Sequence, residues 1–158
     1  MAAKKKPIKQ PKAVVNRRAR FDYALGEEVV AGLVLSGPEV RAAREGHVQL
    51  KGSFVSVRDN ELWLNNTSFS VKLISKGETG ARTVDTSARK LLLSRKQIDG
   101  LIESRQKGMT IVPTKLLTAG NYIKVVIALG KGKKNYDKRE SLKRRDQSRE
   151  AARAIKHA

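Results

Sequence analysis

The 158-residue sequence predicts a mainly β fold with two short helices, a small, partly open antiparallel β-barrel with disordered basic tails at both ends. Three observations carry this expectation. Apolar and polar residues alternate in several runs of strand length, two Ser-led capping boxes each open a helical stretch, and positive charge concentrates outside the alternating region.

Residues 1–15 hold Pro7, Pro11 and five lysines with few large apolar groups, which predicts a disordered basic arm. From Asp22 the pattern turns β-like, with Val29, Ala31, Leu33 and Leu35 alternating on one face and Gly26 placed to turn from a preceding short strand. Ser36 and Glu39 form a capping box, Pro38 suits a first helical turn and Gly46 supplies a stop, so a helix is expected over about Pro38 to Glu45. Phe54 to Leu64 reads as a hairpin: a two-residue Asp59-Asn60 turn pairs Val57 with Leu62 and Val55 with Leu64, and puts Arg58 opposite Glu61 on the wetter face. Residues 67–88, with Gly77 and Gly80, predict only a poorly defined strand and a long loop.

Ser94 and Gln97 make the second capping box, Ile98, Leu101, Ile102 and Arg105 follow at helical spacing, and Gly108 ends that helix. Thr110–Leu117 and Tyr122–Leu129 predict a last hairpin around Ala119-Gly120-Asn121, with Ile123, Val125, Ile127 and Leu129 facing one way. Gly130 and Gly132 then bracket Lys131 as a flexible joint. The segment beyond is helix-forming but has little to bury beyond Leu142, Ile155 and a few alanines. Glu140–Arg144, Asp146–Arg149 and Glu150–Arg153 are spaced for ion pairs along it. Such a helix is marginal in water and is expected to order on a partner. The chain thus divides into a disordered arm (1–15), a folded core (16–130) and a basic tail (131–158) that becomes helical when bound.

The charge points to that partner. The net charge is +19; Met1 to Arg20 contributes +8 and Lys131 to Ala158 contributes +7, which leaves +4 for everything between. Two tails of one sign around a nearly balanced core indicate a polyanion, and nucleic acid fits better than a membrane surface. With no cysteine there is no disulfide framework, thiol nucleophile or Cys-type zinc site. Met1–Lys6 lacks a following apolar segment and no apolar run approaches a membrane span, so a soluble, cytoplasmic protein is expected.

No catalytic constellation emerges. The two histidines, His47 and His157, are too few and too far apart in the chain for a triad or a His-rich metal site, so neither enzyme activity nor a cofactor is expected. Gly130-Lys131-Gly132-Lys133-Lys134 lacks the spacing of a nucleotide-binding loop; its cations Lys131, Lys133 and Lys134 are read as phosphate contacts. Aromatic residues are few, which favours recognition of folded RNA by shape and phosphates over a platform of many stacked bases.

Four segments in order resemble the small protein B family, the SsrA-binding proteins that partner transfer-messenger RNA. They are Asn16-Arg17-Arg18-Ala19-Arg20-Phe21-Asp22-Tyr23, Ala31 to Val40, Arg89-Lys90-Leu91-Leu92-Leu93, and Ala128 to Arg139 with its Asn135-Tyr136-Asp137-Lys138-Arg139 run. The resemblance implies an OB-like barrel that holds the tRNA-like part of transfer-messenger RNA and delivers it to stalled ribosomes. The tail then enters the empty messenger channel, against small-subunit ribosomal RNA. It places Asn16, Arg17, Arg18, Arg20, Tyr23, Arg89, Lys90, Leu92 and Ser94 on the RNA-binding surface. Gly132, Tyr136, Asp137, Lys138 and Arg139 are placed at the decoding centre, with Tyr136 standing where many members carry His. Val30 stands where members carry an acidic residue implicated in RNA binding, so that contact is expected to be absent. Ser94 stands where they carry Asn, and a helix cap already accounts for its hydroxyl. The implied partners are transfer-messenger RNA, the stalled ribosome and, through the RNA, elongation factor Tu, with the protein itself a monomer. A different class, a structural or assembly protein bound to ribosomal RNA, is the alternative.

Overall fold

The computed structural model of the chain describes residues 13–72 and 80–156. Most of the 1–15 arm and part of the 67–88 segment, Gly77 included, lie outside the described residues. Val14–Val15, expected in the arm, instead form strand β1 and pair with Leu116 and Lys115.

The elements that follow are helix α1 (Arg17–Asp22), strand β2 (Tyr23–Leu33), helix α2 (Gly37–Glu45) and strand β3 (Val48–Gln49). Next come β4 (Phe54–Arg58), β5 (Glu61–Asn65), β6 (Ser68–Lys72), β7 (Arg82–Asp85) and β8 (Arg89–Leu92). Helix α3 (Arg95–Gln106), β9 (Thr110–Leu117), β10 (Lys124–Gly132) and helix α4 (Asn135–Lys156) complete the described chain. The strands form a seven-stranded antiparallel sheet in the order β1-β9-β10-β2-β8-β5-β4 and a three-stranded one in the order β3-β6-β7.

The seven-stranded sheet curls until β4 packs near β9, but no hydrogen-bonded ladder joins them among the described residues, so it is not a closed barrel. Its inner face, with Val55, Leu62, Leu64, Leu91, Ile111, Leu116, Val125 and Ile127, packs with Phe69 of β6, Ala43 of α2 and Ile98 and Leu101 of α3 in one core.

Local chemistry accounts for the elements read from the sequence. The Ser36 N–H donates to Glu39 Oε2 at 2.7 Å and Gly46 takes φ +82°, which start and stop α2 as expected. Asp59 and Asn60 both have positive φ, and the β4–β5 register matches the pairing anticipated for the hairpin. The Ser94 box opens α3, and Gly108 at φ +84° follows its end.

Four expectations are corrected. Among the described residues there are four helices rather than two, because α1 and α4 add to the capped pair. Gly26 is not a turn: β2 runs through it, with an extra residue taken up where the register passes from Glu28↔Ala128 to Leu25↔Gly130. The Gly130–Gly132 segment is not a loose joint but the end of β10, paired with Leu25, Ala24 and Tyr23. A Cβ on Gly130 would lie 3.0 Å from the Tyr23 Cβ, so this glycine serves close strand approach. The C-terminal tail is not disordered here but forms the 22-residue α4, although it buries no residue. Ion pairs such as Glu140–Arg144 at 3.0 Å and anchorage of its first turn on the core support it.

A bulge in β9 explains a feature that simple alternation missed. Val126 pairs with Lys115 and Ile127 with Pro113, so Thr114 is the extra residue, and its hydroxyl donates to the Val126 carbonyl at 3.2 Å. Pro113, which has no N–H to give a ladder, is accommodated at this irregularity. Val125 to Ala128 of β10, which pairs on both edges, are all buried.

Candidate nucleic-acid interface

The surface begins at α1, whose position is set by Asn16. That side chain is only 5% exposed: its Oδ1 accepts from the Ala19 N–H at 3.2 Å and its Nδ2 donates to the Pro113 carbonyl at 2.9 Å. The Asn16 N–H donates to the Thr114 carbonyl. Asn16 therefore fixes the helix to β9, and Arg17, Arg18 and Arg20 project from it exposed. Tyr23, half-buried, opens β2 opposite Gly132.

The root of the tail is clasped to the same helix. The Lys133 N–H donates to the Asp22 carbonyl at 2.9 Å and its Nζ donates to the Arg20 carbonyl at 3.0 Å. Asp22 bridges the two elements, with Arg18 Nε at 2.9 Å on one carboxylate oxygen and Lys138 Nζ at 3.1 Å on the other. Burial pushes the Asp22 carboxyl up, but hydrogen bonds from Arg18 and Lys138 outweigh it and hold the group below its ordinary value. Phe21 lies between the same cations, 5.5 Å from the Arg18 guanidinium and 5.9 Å from the Lys138 ammonium.

Of the tail motif, Lys138 is thus engaged with the core, while Tyr136 and Arg139 are exposed and Asp137 sits in the first turn of α4, where a carboxylate suits the helix dipole. Lys131 and Lys134 are exposed on either side of Lys133. Farther along α4, Arg145 and Arg149 face α1 across a cleft of about 890 Å³. Arg17, Arg18, Arg20 and Lys115 complete its basic lining, Val15 and Phe21 its apolar part, and among the described residues no acidic side chain lines it.

A second part of the surface follows from strand register, since directly paired residues share a sheet face. Val15, Lys115, Val126 and Val30 form one row across β1, β9, β10 and β2; Lys124, Gly32 and Leu92 form the next. Lys90 continues the face on β8 and pairs with Trp63, itself paired with Ser56. Leu92 is 53% exposed and Val30 51%, so this face carries an aliphatic patch flanked by lysines, with Glu28 farther along β2 as the nearby acid. Gly32 keeps the patch flat, for a Cβ there would lie 3.2 Å from that of Leu92. Lys90 Nζ is paired with Glu61. Because Val15 and Lys115 belong to both the cleft and the first row, the two parts are continuous.

Arg89 stands apart from this surface. It is 4% exposed, and its guanidinium donates to Glu39 Oε1 from Nε at 2.9 Å and from Nη2 at 2.7 Å, with the Phe69 ring centroid 4.2 Å away. Its neighbour Lys90 carries the outward charge of the dipeptide. Ser94 is exposed, yet its N–H and Oγ both engage Gln97 Oε1, at 3.2 and 3.0 Å, as part of the α3 cap. Lys115, Lys124 and Trp63 were missed from the sequence. Alternation alone puts Lys115 and Lys124 outward, but only the pairing of β9, β10, β2 and β8 brings them beside Leu92.

Comparison with known proteins matches this chain to one family. A family model described as SmpB protein matches residues 13–157. The SsrA-binding protein of Halalkalibacterium halodurans is 48% identical over 144 residues, covering 89% of this chain and 90% of that protein. The SsrA-binding protein of Levilactobacillus brevis is 41% identical over 160 residues, covering 98% and 99%. A solved chain, described with the words "tmRNA-SmpB: a journey to the center of the bacterial ribosome", superposes with a TM-score of 0.59 at 39% identity, over 78% of this chain and 85% of that one.

Proposed function

The chain belongs to the SmpB family, and from that premise we propose that it binds transfer-messenger RNA and acts with it in trans-translation on the ribosome. It works by binding rather than by chemistry of its own. The observation that carries the reading is the continuous surface running from the six-cation cleft between α1 and α4, through Lys115, to the exposed Leu92 patch. Cations along such a surface supply phosphate contacts, and the aliphatic patch suits the sugar and base faces of folded RNA.

In finer detail, the curled sheet is read as an opened OB-like barrel that holds the tRNA-like domain of transfer-messenger RNA. The surface residues Arg17, Arg18, Arg20, Lys90, Leu92, Lys131, Lys133 and Lys134 are assigned to RNA. The tail, starting near the end of β10, is assigned to the small-subunit ribosomal RNA of a stalled ribosome, with Tyr136, Asp137, Lys138 and Arg139 at the decoding centre. Elongation factor Tu would be met only through the RNA, and the protein would act as a cytoplasmic monomer. No described helix is long and apolar enough to cross a membrane.

The test is binding of the isolated tRNA-like domain to the Arg17→Ala/Lys115→Ala protein. A clear loss of affinity is expected, and wild-type affinity in that variant rejects the interface. RNA recovered with the protein from its native source separates the alternative: one tRNA-like species supports the reading, whereas stoichiometric recovery in ribosomal subunits supports a structural ribosomal protein.

A further inference from the structure

The seam where the curled sheet fails to close holds a second cavity, of about 620 Å³, on another side of α1 from the basic cleft. One wall is the start of β4, with Phe54; the other is the start of β9, with Thr110 and Ile111; Tyr23, Arg105 and the ion-paired Arg18 and Asp22 of α1 also line it. Among the described residues both strands have an unpaired edge there: β4 pairs only with β5, and β9 at Thr110–Val112 pairs with β10 on one side while β1 reaches only Lys115 and Leu116 on the other.

Two features set this seam apart from an accident of folding. Phe54 is 47% exposed at its mouth, an unusual position for a phenyl ring in a chain with so few aromatics. Lys51 and Arg105 line it as well, and among the described residues neither is in an ion pair. The loop that carries Lys51 is held in place: the Ser53 N–H donates to the Leu50 carbonyl at 3.1 Å, and Asn66 Nδ2 donates to the Gly52 carbonyl at 3.1 Å. Gly52 sits at φ +78°, which other residues rarely adopt. The site is therefore formed before any ligand arrives.

A flat apolar ring, open backbone edges and two unpaired cations around a volume of this size match one nucleotide. An aromatic face stacks a base, backbone groups read its edge, and cations hold its phosphate. We propose that the seam binds a single unpaired nucleotide of RNA, its base stacked on Phe54 and its phosphate held by Lys51 and Arg105. The cations favour this occupant over a protein strand added to the open edges. The proposal rests on the RNA-binding reading above and extends it beyond the Leu92 patch and the α1–α4 cleft, with which the seam shares Arg18 alone. The nucleotide comes either from transfer-messenger RNA or from ribosomal RNA.

The test uses the full chain. In NMR titrations, adenosine 5′-monophosphate should shift the Phe54, Thr110 and Ile111 signals, and ribose 5-phosphate, which keeps the phosphate but lacks the base, should shift them much less. Phe54→Ala should then weaken RNA binding about 5- to 150-fold, as expected for the loss of one stacked base at about 1–3 kcal/mol, while Phe54→Tyr retains it. A loss seen with the tRNA-like domain assigns the nucleotide to transfer-messenger RNA; a loss seen only with ribosomes assigns it to ribosomal RNA. Folding of the alanine variant is checked by Trp63 fluorescence. If wild-type protein binds neither RNA, the RNA-binding reading itself fails. If wild-type protein binds and folded Phe54→Ala binds equally well to both, the seam assignment is overturned. Equal shifts from ribose 5-phosphate also overturn it, as does a seam that takes up only peptide strands.

Discussion

Replacing Arg89 with alanine should unfold the protein more readily while leaving its RNA-binding surface intact. The guanidinium is nearly inaccessible and bonded twice to Glu39 Oε1; it also donates to the Thr67 carbonyl at 3.3 Å and lies 3.3 Å from Asp85 Oδ2. Glu39 in turn holds the start of α2 through the Ser36 N–H. Removing the arginine leaves a largely buried carboxylate and several carbonyls without their donor, which costs about 3–5 kcal/mol for a broken buried pair. At roughly 3 °C per kcal/mol for a chain of this size, the midpoint of thermal unfolding should fall by about 9–15 °C. Urea titration followed by fluorescence of Trp63, the single tryptophan, measures the loss directly. In Glu39→Gln the arginine loses its nearer, less exposed counter-charge and keeps only Asp85, and the Arg89→Met/Glu39→Gln double variant should recover part of the loss because no charge remains buried at this position. RNA affinity of folded Arg89→Ala should stay within about twofold of wild type. Lys90→Ala should show the opposite profile, since its half-exposed pair with Glu61 is worth less than about 1 kcal/mol, while its outward charge is among those proposed to meet RNA. Stability within about 1 kcal/mol for Arg89→Ala, together with a clear loss of RNA affinity, would refute this reasoning.

Three further outcomes are expected. Truncation after Lys134, which spares the β10 pairing and the Lys133 contacts to α1 but removes Arg145 and Arg149 from the cleft, should lower transfer-messenger RNA affinity only in part and abolish peptide tagging in a reconstituted stalled-ribosome assay. Alanine at Asp137, Lys138 and Arg139 together should do the same, and full tagging by that variant would reduce the tail to an electrostatic tether. RNA affinity should fall steeply with salt, and the Arg17→Ala/Lys115→Ala protein should show a slope in log K against log salt shallower by about two, one for each phosphate that is no longer neutralised; an unchanged slope contradicts the cleft assignment. The Asp22 carboxyl, held below its ordinary value in the folded protein, contributes to the clasp fully at neutral pH and ceases to as pH falls through that lowered value. An NMR titration should find it ionising below a normal aspartate, with amides at the root of α4 exchanging faster once it is protonated; titration at or above the ordinary range speaks against the Arg18–Asp22–Lys138 bridge.

The amino-acid sequence by itself determined what short-range chemistry can specify. The Ser36 and Ser94 boxes, the Asp59-Asn60 turn and its register, and the α3 and β9–β10 segments depend on residues a few positions apart, where capping and turn geometry leave few alternatives. Charge distribution indicated a polyanion for a similar reason, because net charge survives any arrangement of the chain. The family resemblance in the Asn16–Tyr23 and Ala128–Arg139 blocks then indicated which RNA.

Tertiary structure decided everything that depends on residues distant in the chain. Asn16, expected at the RNA surface, is held as a buried cap bonded to Pro113, 97 positions away. Arg89, beside an exposed lysine, turned inward because Glu39 and Phe69 wait for it across the core. Gly130 appeared to be a pivot only while Tyr23 was not seen against it. The tail reads as helix-forming in the sequence, but the anchorage of α4 does not, because its first-turn partner is Asp22, which periodicity cannot reveal. The Lys115–Val30 and Lys124–Leu92 rows exist only through strand pairing, and the Phe54 seam exists because the sheet curls without closing. Each is a non-local contact whose partners are chosen by packing and register, and a single sequence does not carry that choice.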